Sequence, residues 1–272
     1  MQPLTDDRLD ELVSRLRAAG CVFAEDEAAV LAEAAANESE LAALAARRVA
    51  GDPLEHLVGW AVFGGRRMAV APGVFVPRRR TEYLARRAAK EVRRAVAGTA
   101  AGRAPGDAAV VVLELCCGVA AVGATLAADF PGLEVHAADI DPAAVACARR
   151  NLPGGRVYCG DLFEPLPPRL RGRIAVIAAN APYVPTGEIP YMPPEARLHE
   201  PDVALNGGPD GLDIQRRVAG QARAWLAPGG VLLLETSVRQ GPESRRILQS
   251  HGFAARIRHS SRLEATVVIG RS

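Results

Sequence analysis

Ile174-Ala-Val-Ile-Ala-Ala179 runs straight into Asn180-Ala181-Pro182-Tyr183-Val-Pro185, so an apolar stretch ends in a short polar and aromatic corner. Consecutive apolar residues bounded by turn formers predict a strand buried on both faces, as in a parallel sheet. In open sheets of that kind ligands lie beyond the carboxyl ends of the strands, so the corner is expected to meet a bound molecule. Asn180 and the Ala181 carbonyl can together receive a flat NH2 group, the side-chain oxygen accepting one N–H and the carbonyl the other. Pro182 stiffens the turn, and Tyr183 offers a stacking face. Taken alone, the tetrapeptide reads equally well as a strand-ending turn.

The remainder of the chain favours the sheet. Strands are expected at residues 110–115, 133–139, 156–159, 173–180 and 231–235, with helices at 121–128, from Asp141-Pro142, at 212–226 and near 242–249. Pro228-Gly229-Gly230 is expected to separate the 212–226 helix from the next strand, and residues 253–259 and 264–269 form a closing pair. Repeated βα units ending in a hairpin imply a doubly wound α/β fold. Residues 1–58 read as a separate helical domain, with helices at 8–18, 25–36 and 39–50, Thr5 capping the first and Gly20 just past its end. Such an appendage positions a large partner, covers a cleft or is purely structural. Residues 59–77 read as a linker containing a β-hairpin around Gly64-Gly65. The third unit, 78–272, begins with a helix to about residue 96 and a loose linker at 98–107.

With 49% hydrophobic residues and a mean hydropathy of +0.05, the chain can bury a real core. No run approaches the ~18 apolar residues of a membrane span. The amino terminus lacks the basic start and apolar middle of a secretion signal, which predicts a cytoplasmic protein. Cys21, Cys116, Cys117, Cys147 and Cys159 show no Cys-x-x-Cys spacing, so reduced thiols are expected, with neither a disulfide framework nor a metal site. A net charge of +2 does not argue for nucleic acid. The Arg78–Arg80 run is either a solvated face or a contact for a phosphate-bearing partner.

A cofactor site is expected after the first of these strands. Cys116-Cys117-Gly118-Val119-Ala120 opens a helix, where small residues let backbone N–H groups approach a nucleoside. About twenty residues on, Asp139 ends the second strand, and its carboxylate can accept both ribose hydroxyls. Asp161 and Leu162 suit the adenine side. No second mononucleotide-binding half is visible, which favours S-adenosylmethionine (SAM) over a dinucleotide.

These motifs together resemble the PrmC/HemK family of SAM-dependent methyltransferases, which methylate the side-chain amide nitrogen of glutamine in peptide chain release factors. The similarity covers nearly the whole chain. It includes Gly51-Asp-Pro53-Leu-Glu-His-Leu-Val-Gly59, Val74-Phe-Val-Pro77-Arg78 with Thr81-Glu82, the Asn180 corner, Pro194-Glu195-Ala-Arg197, and Ala204-Leu205-Asn206-Gly207-Gly208-Pro-Asp210-Gly211-Leu212. The resemblance implies a class I, Rossmann-like methyltransferase with a seven-stranded sheet closed by an antiparallel hairpin, plus a small helical domain. It also implies SAM as cofactor, S-adenosylhomocysteine as product and a release factor as partner. By position, Cys116 to Ala120, Asp139, Asp161, Leu162 and Asn180 would hold the cofactor. Asn180, Ala181, Pro182 and Tyr183 would hold the accepting nitrogen, with Asn180 and Tyr183 in the catalytic role. Two departures mark a divergent branch: Cys116, Gly118 and Ala120 stand where the family has Gly-x-Gly-x-Gly, and Ala181 stands for proline. A residue with a side chain at a loop position needing positive φ costs about 1 kcal/mol or more.

Other acceptors fit the same corner. One is a small molecule, such as the δ-nitrogen of free arginine, whose cation would need acidic neighbours; Glu188, Glu195 and Glu200 are the candidates. Another is a flipped adenine in nucleic acid, against which stand the near-neutral charge and the lack of a target-reading domain. A third possibility is a non-catalytic SAM fold, motivated by the lost loop glycines.

Overall fold

The computed structural model describes residues 6–100 and 109–272. Helices α1 (Asp6–Ala18), α2 (Ala24–Ala34), α3 (Glu38–Val49) and α4 (Leu54–Val58) come first. Their apolar positions close on one another, with Leu16, Ala24, Ala28 and Leu31 fully buried in a cluster of their own. The hairpin follows as β1 (Trp60–Phe63) and β2 (Arg66–Ala69), with Phe63 opposite Arg66 across the Gly64-Gly65 turn. Then come α5 (Glu82–Ala100), β3 (Val111–Leu115), α6 (Ala121–Asp129), β4 (Glu134–Asp139), α7 (Pro142–Asn151), β5 (Arg156–Cys159) and β6 (Ile174–Ala179). The short helices α8 (Pro194–His199) and α9 (Asp202–Leu205) lead to α10 (Asp213–Ala222), β7 (Leu226–Thr236), α11 (Gly241–Ser250), β8 (Ala254–Ser260) and β9 (Ala265–Arg271).

Strands β3 to β9 make one seven-stranded sheet in the order β5-β4-β3-β6-β7-β9-β8. The first five are parallel, and β9 runs antiparallel to both β7 and β8. This is the expected sheet with its closing hairpin. Val-Val-Leu-Glu-Leu of β3 and Ile-Ala-Val-Ile-Ala-Ala of β6 are buried along nearly their whole length because helices cover both faces of the sheet. Residues of α5, α6 and α7 share one buried cluster with the sheet, and residues of α10 and α11 share the other. From β3 the chain passes first to β4 on one side and later to β6 on the other, which opens a crevice at their carboxyl ends.

Three local expectations differ from what forms. The 212–226 helix ends at Ala222, and β7 already begins at Leu226, passing through Pro228-Gly229-Gly230. Leu226 pairs with Ile174 and Val231 with Val176, so residues 227–230 bulge out of the ladder instead of ending it. Helix α4 forms after Pro53, where only a break was expected. Helix α5 runs to Ala100, four residues past its expected end near 96. The Thr5 cap and the linker from residue 101 to 107 lie outside the described residues. Among those residues no helix is long and apolar enough to cross a membrane.

Candidate active site

The crevice widens into a cleft of about 1290 Å³ over the carboxyl ends of β3, β4 and β6. Its floor is the loop after β3, and all three departing or glycine positions there are left-handed: Cys116 at φ 50°, Gly118 at 52° and Ala120 at 59°. Both side-chain-bearing positions therefore carry the conformational cost expected of them. Cys116, Cys117, Gly118 and Val119 line the cleft. Ala120 does not; it is fully buried at the start of α6 and shapes the turn. A β-carbon added to Gly118 would meet no protein atom within 4 Å.

Asp139 is held where it can serve a ligand. Its Oδ2 accepts the Gly118 N–H at 2.7 Å and its Oδ1 the Asp141 N–H at 2.9 Å. Burial raises its carboxyl above the ordinary value, against those two donors. Glu114, at the end of β3, also lines the cleft and accepts the N–H groups of Val122 at 3.3 Å and Gly123 at 2.6 Å. Burial outweighs both donors and pushes Glu114 up to about 8. Asp161 and Leu162 line the cleft as well, the Asp161 carboxylate taking a hydrogen bond from Arg217. Half-exposed Ile140 adds an apolar face beside them.

At the other end stand Asn180, Ala181, Pro182 and Tyr183. The Asn180 Nδ2 donates to Thr81 Oγ1 at 3.3 Å, and the Thr81 hydroxyl donates to Glu235 Oε1 at 3.2 Å. Among the described residues nothing hydrogen-bonds to Asn180 Oδ1 or to the Ala181 carbonyl, so both acceptors are available. The end of α9 and the segment after it clamp the corner: the Val184 N–H donates to the Leu205 carbonyl at 3.0 Å, the Val184 carbonyl accepts the Gly207 N–H at 2.9 Å, and Gln240 donates to the Tyr183 carbonyl at 2.9 Å. A β-carbon on Gly211 would lie 2.3 Å from that carbonyl, so only glycine permits the approach. Burial first, and the nearby Glu235 charge second, push the Tyr183 phenol up to about 12.

Glu195 and Glu200 do not reach the cleft. Glu195 pairs with Arg48 at 2.5 Å, and Glu200 pairs with Arg78 at 2.6 Å while accepting the Val76 N–H. Glu188 is bound to Arg239. The acidic set expected to hold a cation is thus engaged elsewhere, because each carboxylate found a neighbouring arginine. Residues the sequence reading did not single out for the cleft include Glu114, Arg80 and Arg217, with Glu235 behind the corner. The available signal was an acid closing an otherwise apolar strand, as in Val231-Leu-Leu-Leu-Glu235.

The methyltransferase small domain family matches residues 104–189, the loop and corner included. The release factor glutamine methyltransferase of Geobacter sulfurreducens is 36% identical over 224 residues, covering 80% of this chain and 73% of that protein. The chain belongs to the release factor glutamine methyltransferase family. The Streptomyces coelicolor release factor glutamine methyltransferase is 38% identical over 198 residues, 72% of this chain and 66% of that protein. A 4-amino-L-phenylalanine/4-methylamino-L-phenylalanine methyltransferase of Streptomyces pristinaespiralis is also 38% identical, over 70% of this chain and 62% of its own length. The chain thus spans only about two thirds of the length of these two Streptomyces relatives. Among solved structures, the Thermus thermophilus 16S rRNA N2 G1207 methyltransferase, in complex with AdoMet and guanosine, has the same fold. It has a TM-score of 0.52 and 21% identity, over 78% of this chain and 49% of that one. Membership in the release factor glutamine methyltransferase family makes this a SAM-dependent methyltransferase with SAM as its cofactor.

Proposed function

We propose that the protein transfers the methyl group of SAM to a side-chain amide nitrogen, that of a glutamine in a peptide chain release factor. The observation that carries this reading is the pair of acceptors without a partner among the described residues, Asn180 Oδ1 and the Ala181 carbonyl, at one end of the cleft. Two acceptors suit a planar NH2. The family relatives support the release factor as its source.

The donor set fits SAM. Asp139 would take the ribose hydroxyls, Ile140 and Leu162 the adenine faces, and Glu114 the cationic amino-acid part. Bound there, SAM supplies an electrophilic methyl group and leaves as S-adenosylhomocysteine, and the methylated amide nitrogen gives up one of its two protons to solvent. An amide nitrogen is a weak nucleophile because its lone pair is delocalised into the carbonyl. Asn180 Oδ1 and the Ala181 carbonyl hold its two N–H groups and favour pyramidalisation, while Tyr183 packs on the amide plane. Positioning of this kind, in a site partly closed to water, can supply most of the rate without a strong base.

A second reading is methylation of a free amino acid at a planar nitrogen, favoured by the relative that acts on 4-amino-L-phenylalanine. Arg80 lines the acceptor end and could meet a carboxylate. A cationic guanidinium such as that of arginine has less support, since Glu188, Glu195 and Glu200 are all paired. We also read residues 1–58, 59–77 and 78–272 as three units, the separate apolar cluster of α1 to α4 supporting the first boundary.

Mass spectrometry of reactions with SAM and either a release factor or 4-amino-L-phenylalanine decides between the two. A gain of one methyl on the protein's glutamine is expected. Asn180→Ala should lower that transfer by about a hundredfold or more while keeping SAM affinity within a few fold. Methylation of the small molecule alone would replace the first reading by the second.

A further inference from the structure

We propose that Glu235 and Thr81 form a buried relay that sets which end of the Asn180 carboxamide faces the cleft, making both positioning residues for the acceptor nitrogen. The proposal rests on the amide-nitrogen reading above. The two ends of a carboxamide have nearly the same shape, but one accepts hydrogen bonds and the other donates them. With the oxygen outward, Asn180 receives an NH2 group. With the nitrogen outward, it would present N–H to N–H.

The hydrogen-bond chain decides between them. A carboxylate only accepts, so the single Thr81 proton is committed to Glu235 Oε1 at 3.2 Å. Thr81 Oγ1 is then left with only an accepting role, which it fills from Asn180 Nδ2 at 3.3 Å. The nitrogen is thereby turned inward and Oδ1 outward. Thr81 and Glu235 are both buried, the latter 1% exposed, so water does not replace either link. The charged and titratable groups facing Glu235 are Arg80, with Nε 3.6 Å from Oε1, and the phenol of Tyr183. Glu235 Oε2 has no hydrogen-bond partner among the described residues.

The polarity is also reversible. Burial raises Glu235 to about 7. A protonated Glu235 can donate to Thr81, which can then donate to Asn180 and draw the carboxamide oxygen inward. Glu235→Gln removes the group that can only accept, since a carboxamide of nearly the same size can donate to Thr81 as well as accept from it, and Glu235→Leu removes the acceptor altogether.

The test uses the full chain with two independent readouts. One is methyl transfer from labelled SAM to a release factor and to 4-amino-L-phenylalanine. The other needs no acceptor: 15N-asparagine labelling gives only four side-chain amides, Asn37, Asn151, Asn180 and Asn206, with Asn180 assigned through Asn180→Ala. In the wild type the Asn180 NH2 should exchange slowly with water. Glu235→Gln should speed that exchange and lower kcat/KM, each by about tenfold or more, with SAM affinity within a few fold. Thr81→Ser should keep most of the turnover and Thr81→Val lose it, a pair that decides the matter if Glu235→Gln fails to fold. Wild-type kcat/KM should rise through about pH 7, and that rise should be absent from Glu235→Gln. Unchanged Asn180 exchange and turnover in both Glu235→Gln and Glu235→Leu, or equal turnover in the two Thr81 variants, overturns the relay. If the wild type methylates neither acceptor, the amide-nitrogen reading fails while the exchange rates still judge the relay.

Discussion

Cys116 and Ala120 sit at left-handed φ without being glycine, in the loop that must come closest to the cofactor. Because this geometry is present in the folded chain itself, its cost of about 1 kcal/mol per residue falls on folding and not on SAM binding. Ala120→Gly is therefore expected to leave the SAM dissociation constant within about twofold. The relieved strain and the added freedom of the unfolded chain largely offset each other, so stability should move by less than about 1 kcal/mol. Gly118→Ala is the contrasting case. Its β-carbon meets no protein atom but stands in the cleft wall, so the fold should survive at a cost of about 1 kcal/mol for the left-handed φ, while SAM affinity falls by about tenfold or more. Titration calorimetry of the two variants separates the effects.

At the scale of elements, the helical unit is held to the rest of the chain by a few polar ties. Arg48 of α3 is the hinge pin: it binds Glu27 of α2 at 2.6 Å, the Asp52 carbonyl at 3.1 Å and Glu195 of α8 at 2.5 Å. Helix α8 follows the Asn180 corner and precedes α9 in the chain, so α2 and α3 are tied to the segment that joins the two. His56 adds a second tie, with Nε2 2.8 Å from the Val74 carbonyl. Arg48→Met would keep the apolar stem and strand the Glu27 carboxylate, which is largely buried. We expect a loss of about 1–3 kcal/mol in chemical denaturation. A weaker effect of Glu195→Gln should accompany it, because Glu195 is half exposed.

For the molecule as a whole, the buried acids set how stability depends on pH. Glu114 and Glu235 are raised to about 8 and about 7, both from an ordinary value of 4.5, and burial is the first cause in each case. A carboxyl raised on folding contributes stability that is fully present below its unfolded value and is lost as pH rises through the folded one. Glu91 and Glu134 are lowered, so their contribution runs oppositely and is lost as pH falls into the carboxylate range. Maximal stability is therefore expected near the ordinary carboxyl value, at about pH 4.5 to 5, and should already decline as pH rises from there toward 8. Melting temperature should fall by several degrees on going to pH 9. SAM, being cationic, favours ionised Glu114 and Asp139, so the rise in melting temperature it produces should be larger at pH 8.5 than at pH 6. Thermal scans with and without SAM check both statements.

The local determinants were readable directly from the residues. Apolar runs such as Ile174–Ala179 specify buried parallel strands, Asp141 caps α7 through the Ala143 N–H as its position before proline implies, and Gly64-Gly65 turns the hairpin. Each rests on neighbours in sequence, where period and turn chemistry act. The carboxylate partners were not readable, because ion pairing is decided by distance in space. Glu195 and Glu200 looked like a cation site and found Arg48 and Arg78 instead, at separations of 147 and 122 residues. Likewise Thr81, Asn180 and Glu235 lie on three separate elements, and only the sheet order brings them into one hydrogen-bonded line. Sequence alone determined that a buried strand would end in the Asn180 corner at the edge of a cleft. Which way that amide points was left to tertiary packing, since only a buried carboxylate two hydrogen bonds away distinguishes its oxygen from its nitrogen.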